Sequence, residues 1–106
     1  MSNRLYCIAQ FTPKAGKFDA LFERLKALEP DTLREAGCLS YRVTKQITNP
    51  FATGESMPIV FHETWESVEA FEAHCQREAI VAFFEQECLA KDGMVEAYNV
   101  TAYGDS

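Results

Sequence analysis

The sequence predicts an α+β fold: a ferredoxin-like β-α-β-β-α-β antiparallel sheet with helices on one side. Four stretches alternate along a period of two, two longer stretches carry apolar residues at helical spacing, and Gly or Pro marks most of the joints. In that order the elements give a split β-α-β arrangement. At 106 residues, with no repeat or linker, the chain reads as one domain, 1–106.

Arg4 to Thr12 reads as the first strand, with Leu5, Cys7, Ala9 and Phe11 on one face and Tyr6, Ile8 and Gln10 on the other. Both faces are fairly apolar, so both are expected to be covered. Phe18, Leu21, Phe22, Leu25 and Leu28 then form the stripe of an amphipathic helix that Pro30 should end or kink. A further turn or two over 31–36 would end at Gly37, a residue suited to the position after a helix. Cys38 to Gln46 alternates again, with Leu39, Tyr41 and Val43 against Ser40, Arg42 and Thr44. Thr48 to Pro58 holds two prolines and a glycine and reads as a long loop.

Ile59 to Trp65 is the third strand, with Ile59, Phe61, Glu63 and Trp65 sharing a face. Ser67 is a good N-cap for a helix whose inner face holds Val68, Phe71 and Cys75, with His74 nearby. A second helical stretch, about Ala79 to Ala90, should turn Ile80, Val81, Phe83, Phe84 and Cys88 inward before Asp92-Gly93 stops it. Met94 to Tyr103 is the last strand. Helices on one side leave the other sheet face uncovered, and the simplest cover is the same face of a second copy.

Composition narrows the function. A net charge of −6 argues against nucleic-acid binding and against anionic membranes; most of the acidic surplus reads as solvated surface. Cys7, Cys38, Cys75 and Cys88 have no zinc-site spacing, and no leader pattern or 18-residue apolar run is present. A cytoplasmic protein with four free thiols follows. Eight Phe, four Tyr and one Trp in so short a chain call for a lined pocket or a subunit interface.

The run Glu35-Ala36-Gly37-Cys38-Leu39-Ser40-Tyr41 resembles the E-x-G-C-x-x-Y segment of the antibiotic biosynthesis monooxygenase family. Phe61-His62-Glu63-Thr64-Trp65-Glu66-Ser67, followed by Ala70-Phe71-Glu72-Ala73-His74, resembles its E-x-W-E-S…A-x-x-A-H segment. The long loop before the third strand is similar to that of the quinol monooxygenase type. The resemblance implies a dimeric α+β barrel, a homodimer or higher oligomer. It also implies oxidation of a small electron-rich aromatic, a quinol or phenol, by O2 with no flavin, haem or metal. The haem-degrading branch would need an Asn, a Trp and a His where this chain has Ala9, His74 and Phe84, which argues against it. An isomerase of a small metabolite on the same fold remains an alternative; for a phosphorylated substrate, Arg42, Lys45 and Arg77 would have to supply positive charge. A non-catalytic, stress-related small-molecule-binding dimer is the other.

Oxidation of such a substrate begins with loss of a proton, so it needs a base near neutral pH in an apolar, orienting pocket. His74 and His62 are the candidate bases, against the plainer reading of His74 as a structural residue tying down a helix end and of His62 as facing the dimer interface. Trp65, Tyr41, Phe61, Phe71 and Phe84 are candidate pocket walls, although core packing accounts for each as well. Glu63 is a candidate carboxylate, costly to bury unless paired, and Arg42 on the neighbouring strand is its expected partner. Tyr98, Asn99 and Arg42 are weaker candidates. Cys38 has no neighbour in sequence that would lower its thiol pKa and reads as a small core residue.

Overall fold

A computed structural model describes residues 3–105; residues 1, 2 and 106 of the expected 1–106 domain lie outside the described residues. Four strands form one antiparallel sheet: β1 (Leu5–Pro13), β2 (Cys38–Lys45), β3 (Ile59–Trp65) and β4 (Val95–Gly104). Their order is β2-β3-β1-β4, so β1 and β3 are central and the sheet is ferredoxin-like, as expected. Helices α1 (Phe18–Lys26), α2 (Glu29–Leu33), α3 (Val68–Cys75) and α4 (Glu78–Phe83) pack on one side. None is long and apolar enough to cross a membrane.

The alternation in β1 and β3 translates directly into burial. Leu5, Cys7, Ala9 and Phe11 face the helices with Ile59, Phe61, Glu63 and Trp65, and all eight are buried. Their intervening neighbours Tyr6, Ile8, Gln10, Val60 and Thr64 are only half-buried on the opposite face, which no helix among the described residues covers; the loop before β3 reaches it at Gln10, where Ser56 Oγ donates to Gln10 Oε1 at 2.7 Å. Facing pairs put residues into rows across the sheet. The middle row is Cys7–Glu63–Tyr41, flanked by Ala9–Phe61–Val43 and Leu5–Trp65–Cys38.

Several elements differ from the sequence expectation, each for a local reason. The first helix ends at Lys26, and Pro30 sits in the first turn of the separate α2, where its missing N–H costs nothing. Leu39 is exposed instead of facing the core with Tyr41, because the β2–β3 register shifts between Cys38 and Ser40 and leaves it as an extra residue. On α3 the inward residues are Ala70, Phe71 and His74, and Cys75, though exposed at one side, borders the space between helix and sheet with them, while Val68 faces outward. Val81 also turns out. After α4 the chain widens into a π-helical segment, Phe84–Leu89, in which Ala90 N–H donates to Glu85 O five residues back at 3.0 Å. Such a segment shifts the helical phase and re-aims the side chains beyond it.

Two devices hold the connection that carries Glu35. Edge strand β2 is capped where Val43 N–H donates to Glu29 Oε2 at 2.8 Å, so α2 is tied to the sheet. Gly37 adopts φ +83°, and a Cβ there would lie 2.6 Å from Ala70 Cβ on α3. Glu66 N–H then donates to Gly37 O at 2.8 Å. Ser67 caps α3 as expected, accepting from Ala70 N–H at 3.1 Å.

Gly37→Ala should destabilise the fold by about 1–3 kcal/mol, since it is strained in both backbone and space. Ser67→Ala should cost about 1 kcal/mol. Denaturant melts of the two variants check both, and a Gly37→Ala protein as stable as wild type would contradict the close approach of the 35–38 segment to α3.

Candidate active site

Between the middle of the sheet and the helices lies a cavity of about 70 Å³. Its walls are almost wholly apolar. Tyr41, Phe61, Phe71, Phe83 and Phe84 are among its rings, and Cys7, Ala9 and Leu25 are among its smaller and aliphatic walls. Glu63 and His74 are its ionisable polar groups besides the thiols and Tyr41, and no Lys or Arg lines it among the described residues.

Glu63 is there because strand alternation puts it on the same face as Phe61 and Trp65. It is 6% exposed. Trp65 Nε1–H donates to Glu63 Oε1 at 3.0 Å, and the Cys7 thiol also donates to this carboxyl. These donors favour the carboxylate, but burial disfavours it more, and the charge of Glu35 adds to that. The net result is a carboxyl raised from an ordinary 4.5 to about 7. Arg42, the partner expected from sequence, is not beside it: it pairs across to His62 on the uncovered face, because it is one residue out of phase with Tyr41.

His74, 4% exposed, comes off the last turn of α3. Its ring centroid lies 4.6 Å from that of Trp65 and 5.3 Å from that of Tyr41. Its Nδ1 is 2.9 Å from Glu35 Oε2, and Arg77 Nη1 donates to the same oxygen at 2.7 Å. Burial lowers its pKa, against the opposing pull of Glu35, which favours a neutral ring. The Tyr41 phenol is pushed up, chiefly by burial, and is hydrogen-bonded to the buried Thr32. Burial likewise raises the Cys38 thiol to about 11, so nothing activates it as a nucleophile.

Of the residues singled out from sequence, Tyr41, Phe61, Glu63, Phe71, His74 and Phe84 line this one cavity. Trp65 is fully buried behind it, bonded to Glu63 and packed on His74. His62 is not part of it: alternation sends it to the uncovered face, exposed, with Nε2 3.0 Å from Thr44 Oγ1. Asn99 shares that other face, opposite Gln10, and Tyr98 touches only the margin through the Phe84 ring at 5.7 Å. Sequence reading gave Cys7 and Glu35 no role at the site, and named Arg77 only as a possible phosphate-binding cation. Glu35 heads the E-x-G-C run, which was a signal for it; Arg77 stands in extended conformation between α3 and α4, where no helical spacing points to it.

A family model described as antibiotic biosynthesis monooxygenase matches residues 4–86. No curated protein matches the sequence at a significant level. Among solved structures, a Shewanella oneidensis protein is similar at 33% identity and TM-score 0.80, over 97% of this chain and 91% of its own. A Pseudomonas aeruginosa protein is similar at 24% identity and TM-score 0.77, over 100% and 97%. A Bacteroides fragilis protein, described as dimeric and of ferredoxin-like fold, has 16% identity and TM-score 0.70, over 96% of each chain.

The raised carboxyl has a stability signature. Below pH 4.5 Glu63 is protonated whether the chain is folded or not; from 4.5 upward the unfolded chain ionises first, and only as pH passes about 7 does the folded chain carry the carboxylate as well. Stability from this group is therefore lost over that window, by about 3 kcal/mol at most. Glu63→Gln keeps an acceptor for Trp65 and should be more stable than wild type well above pH 7, with the difference shrinking below 4.5. Urea melts across that range check it; a constant difference would contradict the raised carboxyl.

Proposed function

Since the chain belongs to the antibiotic biosynthesis monooxygenase family, we propose that it is a monooxygenase that oxidises a small electron-rich aromatic, a quinol or phenol, with O2 and no bound cofactor. One observation carries this reading: a carboxyl with a pKa of about 7 sits in a cavity otherwise walled by aromatic rings and aliphatic groups. Near neutral pH such a group is a base in half the molecules and needs only a substrate hydroxyl beside it. Deprotonation matters because the phenolate gives up an electron to O2 far more readily than the phenol. For a hydroquinone, one oxygen atom of O2 becomes a new ring oxygen and the other leaves as water, giving a hydroxyquinone. The substrate supplies all four electrons, so no external reductant is required.

The apolar wall supports the same reading, since it keeps water from the anion and offers ring faces for stacking. About 70 Å³ holds a few waters but not a substituted ring. Phe71 and Phe84, half-buried at the margin, are the side chains that must swing to admit one. The isomerase of a phosphorylated metabolite fits less well: Arg77 is engaged by Glu35, Lys45 stands over Phe22 at 4.4 Å, and Arg42 is on the other face.

The working form in this proposal is a homodimer in the cytoplasm. Tyr6, Ile8 and Val60 form a half-buried apolar centre on the uncovered sheet face, and a second copy would cover it. Light scattering at micromolar concentration should give a dimer or a multiple of it; a stable monomer would remove the shared barrel.

Oxygen uptake with a panel of hydroquinones and phenols, on protein stripped with a chelator, tests the reaction. Consumption should exceed that in buffer, rise with pH through about 7 as Glu63 ionises, and fall by about 100-fold or more in Glu63→Gln. A panel consumed no faster than in buffer contradicts the oxidative reading. A pH profile unchanged in Glu63→Gln contradicts the role of the carboxyl.

A further inference from the structure

The cavity wall carries a second proton acceptor, and its state is fixed by a residue that does not touch the cavity. We propose that Glu35 is a positioning residue that holds His74 in the tautomer protonated at Nδ1, leaving Nε2 as the ring's one lone-pair nitrogen for the substrate. This inference rests on the oxidative reading above and adds a residue to it.

The geometry carries the assignment. A single oxygen, Glu35 Oε2, lies 2.7 Å from Arg77 Nη1 and 2.9 Å from His74 Nδ1. Arginine is charged at any pH the fold survives, so the carboxyl it grips is a carboxylate and only accepts. The hydrogen between Glu35 and His74 must therefore sit on Nδ1. The surroundings oppose a second proton on the ring: His74 is 4% exposed and packed between Trp65 and Tyr41. In water the neutral imidazole prefers its proton on Nε2, so this tautomer is one the protein imposes.

The other histidine supplies an internal contrast. Thr44 Oγ1 donates its hydrogen to Val60 O at 2.9 Å, so at 3.0 Å it accepts from His62 Nε2–H. The two rings of one chain are set in opposite tautomers.

The chemistry uses both acceptors of the cavity. Taking a hydroquinone to the quinone level breaks two O–H bonds. Each proton passes to a side chain, Glu63 for one and His74 Nε2 for the other; the ring gives one electron pair to O2 in reaching the quinone level, and the second pair comes from the ring C–H bond that the new C–O bond replaces, whose hydrogen ends on the new hydroxyl. The protons end in the water that carries away the second oxygen atom, which returns both side chains to their starting state. A substrate with two hydroxyls suits this arrangement better than one with a single hydroxyl.

The test is nitrogen-15 NMR of the labelled full chain, whose two histidines are told apart with His62→Ala. His74 is expected to show Nδ1 protonated and Nε2 bare, and His62 the reverse. In Glu35→Leu the His74 ring should go over to Nε2–H, and kcat on a hydroquinone should fall at least about tenfold. An Nε2–H or doubly protonated His74 in wild type near pH 7.5 overturns the proposal, and needs no variant to fold. An unchanged tautomer in a folded Glu35→Leu overturns it too. A wild-type ring protonated at Nδ1 in a protein that consumes no quinol or phenol supports the placement of His74 and sinks the oxidative reading instead.

Discussion

Glu63 is a carboxyl group in the middle row of the sheet's covered face, and most of what is distinctive in this chain follows from keeping it there. Two short-range donors, Trp65 Nε1 and the Cys7 thiol, partly compensate its loss of water, and neither brings a positive charge. With an arginine in that place the group would be a firmly ionised structural carboxylate; without any donor it would be a neutral acid. The pair of weak donors leaves it poised between the two. The cost falls on stability above neutral pH, and the fold meets it with a tightly packed aromatic shell: Tyr41 on Phe61 at 4.3 Å, Phe11 on Phe83 at 5.6 Å, Trp65 on Phe71 at 6.3 Å.

The charged side chains near the cavity are arranged so as to stay out of it. Arg77 engages Glu35 at its edge, Arg24 bonds Gln86 on the π-helical segment and lies over the Phe83 ring, and Lys45 stands over Phe22. The π-helical segment itself is held by Glu87, whose Oε1 accepts from Met94 N–H at 3.0 Å. Gly93 allows this, since any Cβ there would collide with Glu87 O. Phe84, at the start of that segment, is thus carried on a locally widened turn beside β4, at the margin where a ring must move for a substrate to enter.

Much of the fold was legible in the sequence because its central strands alternate so cleanly: Ile59 to Trp65 is assigned to the residue, and the faces of β1 are correct throughout. What failed were places where one residue shifts a phase. A bulge turned Leu39 outward, Pro30 began a helix instead of ending one, and α3 is rotated so that His74 is its buried residue and Val68 faces out. The cavity was legible as far as alternation and motif reach, through Tyr41, Phe61, Glu63, Phe71, His74 and Phe84. Glu35 stood in the motif, but its contact with His74 lay outside that reach. Thirty-nine residues separate it from His74, and only the turn at Gly37 brings them together. The partner of Glu63 was misread because alternation puts Arg42 and Tyr41 on opposite faces but does not say which of the two shares a face with Glu63; the cross-strand register decides that, and it pairs Glu63 with Tyr41.

The most direct measurement is a carbon-13 NMR titration of the Glu63 side-chain carboxyl in the full chain, assigned by its loss in Glu63→Gln. A buried, weakly donated carboxyl should titrate with a midpoint near 7, well apart from the exposed glutamates. A midpoint in the ordinary range of 4 to 5 would contradict the account, since Glu63 would then be a fully ionised carboxylate with nothing to set it apart as a base.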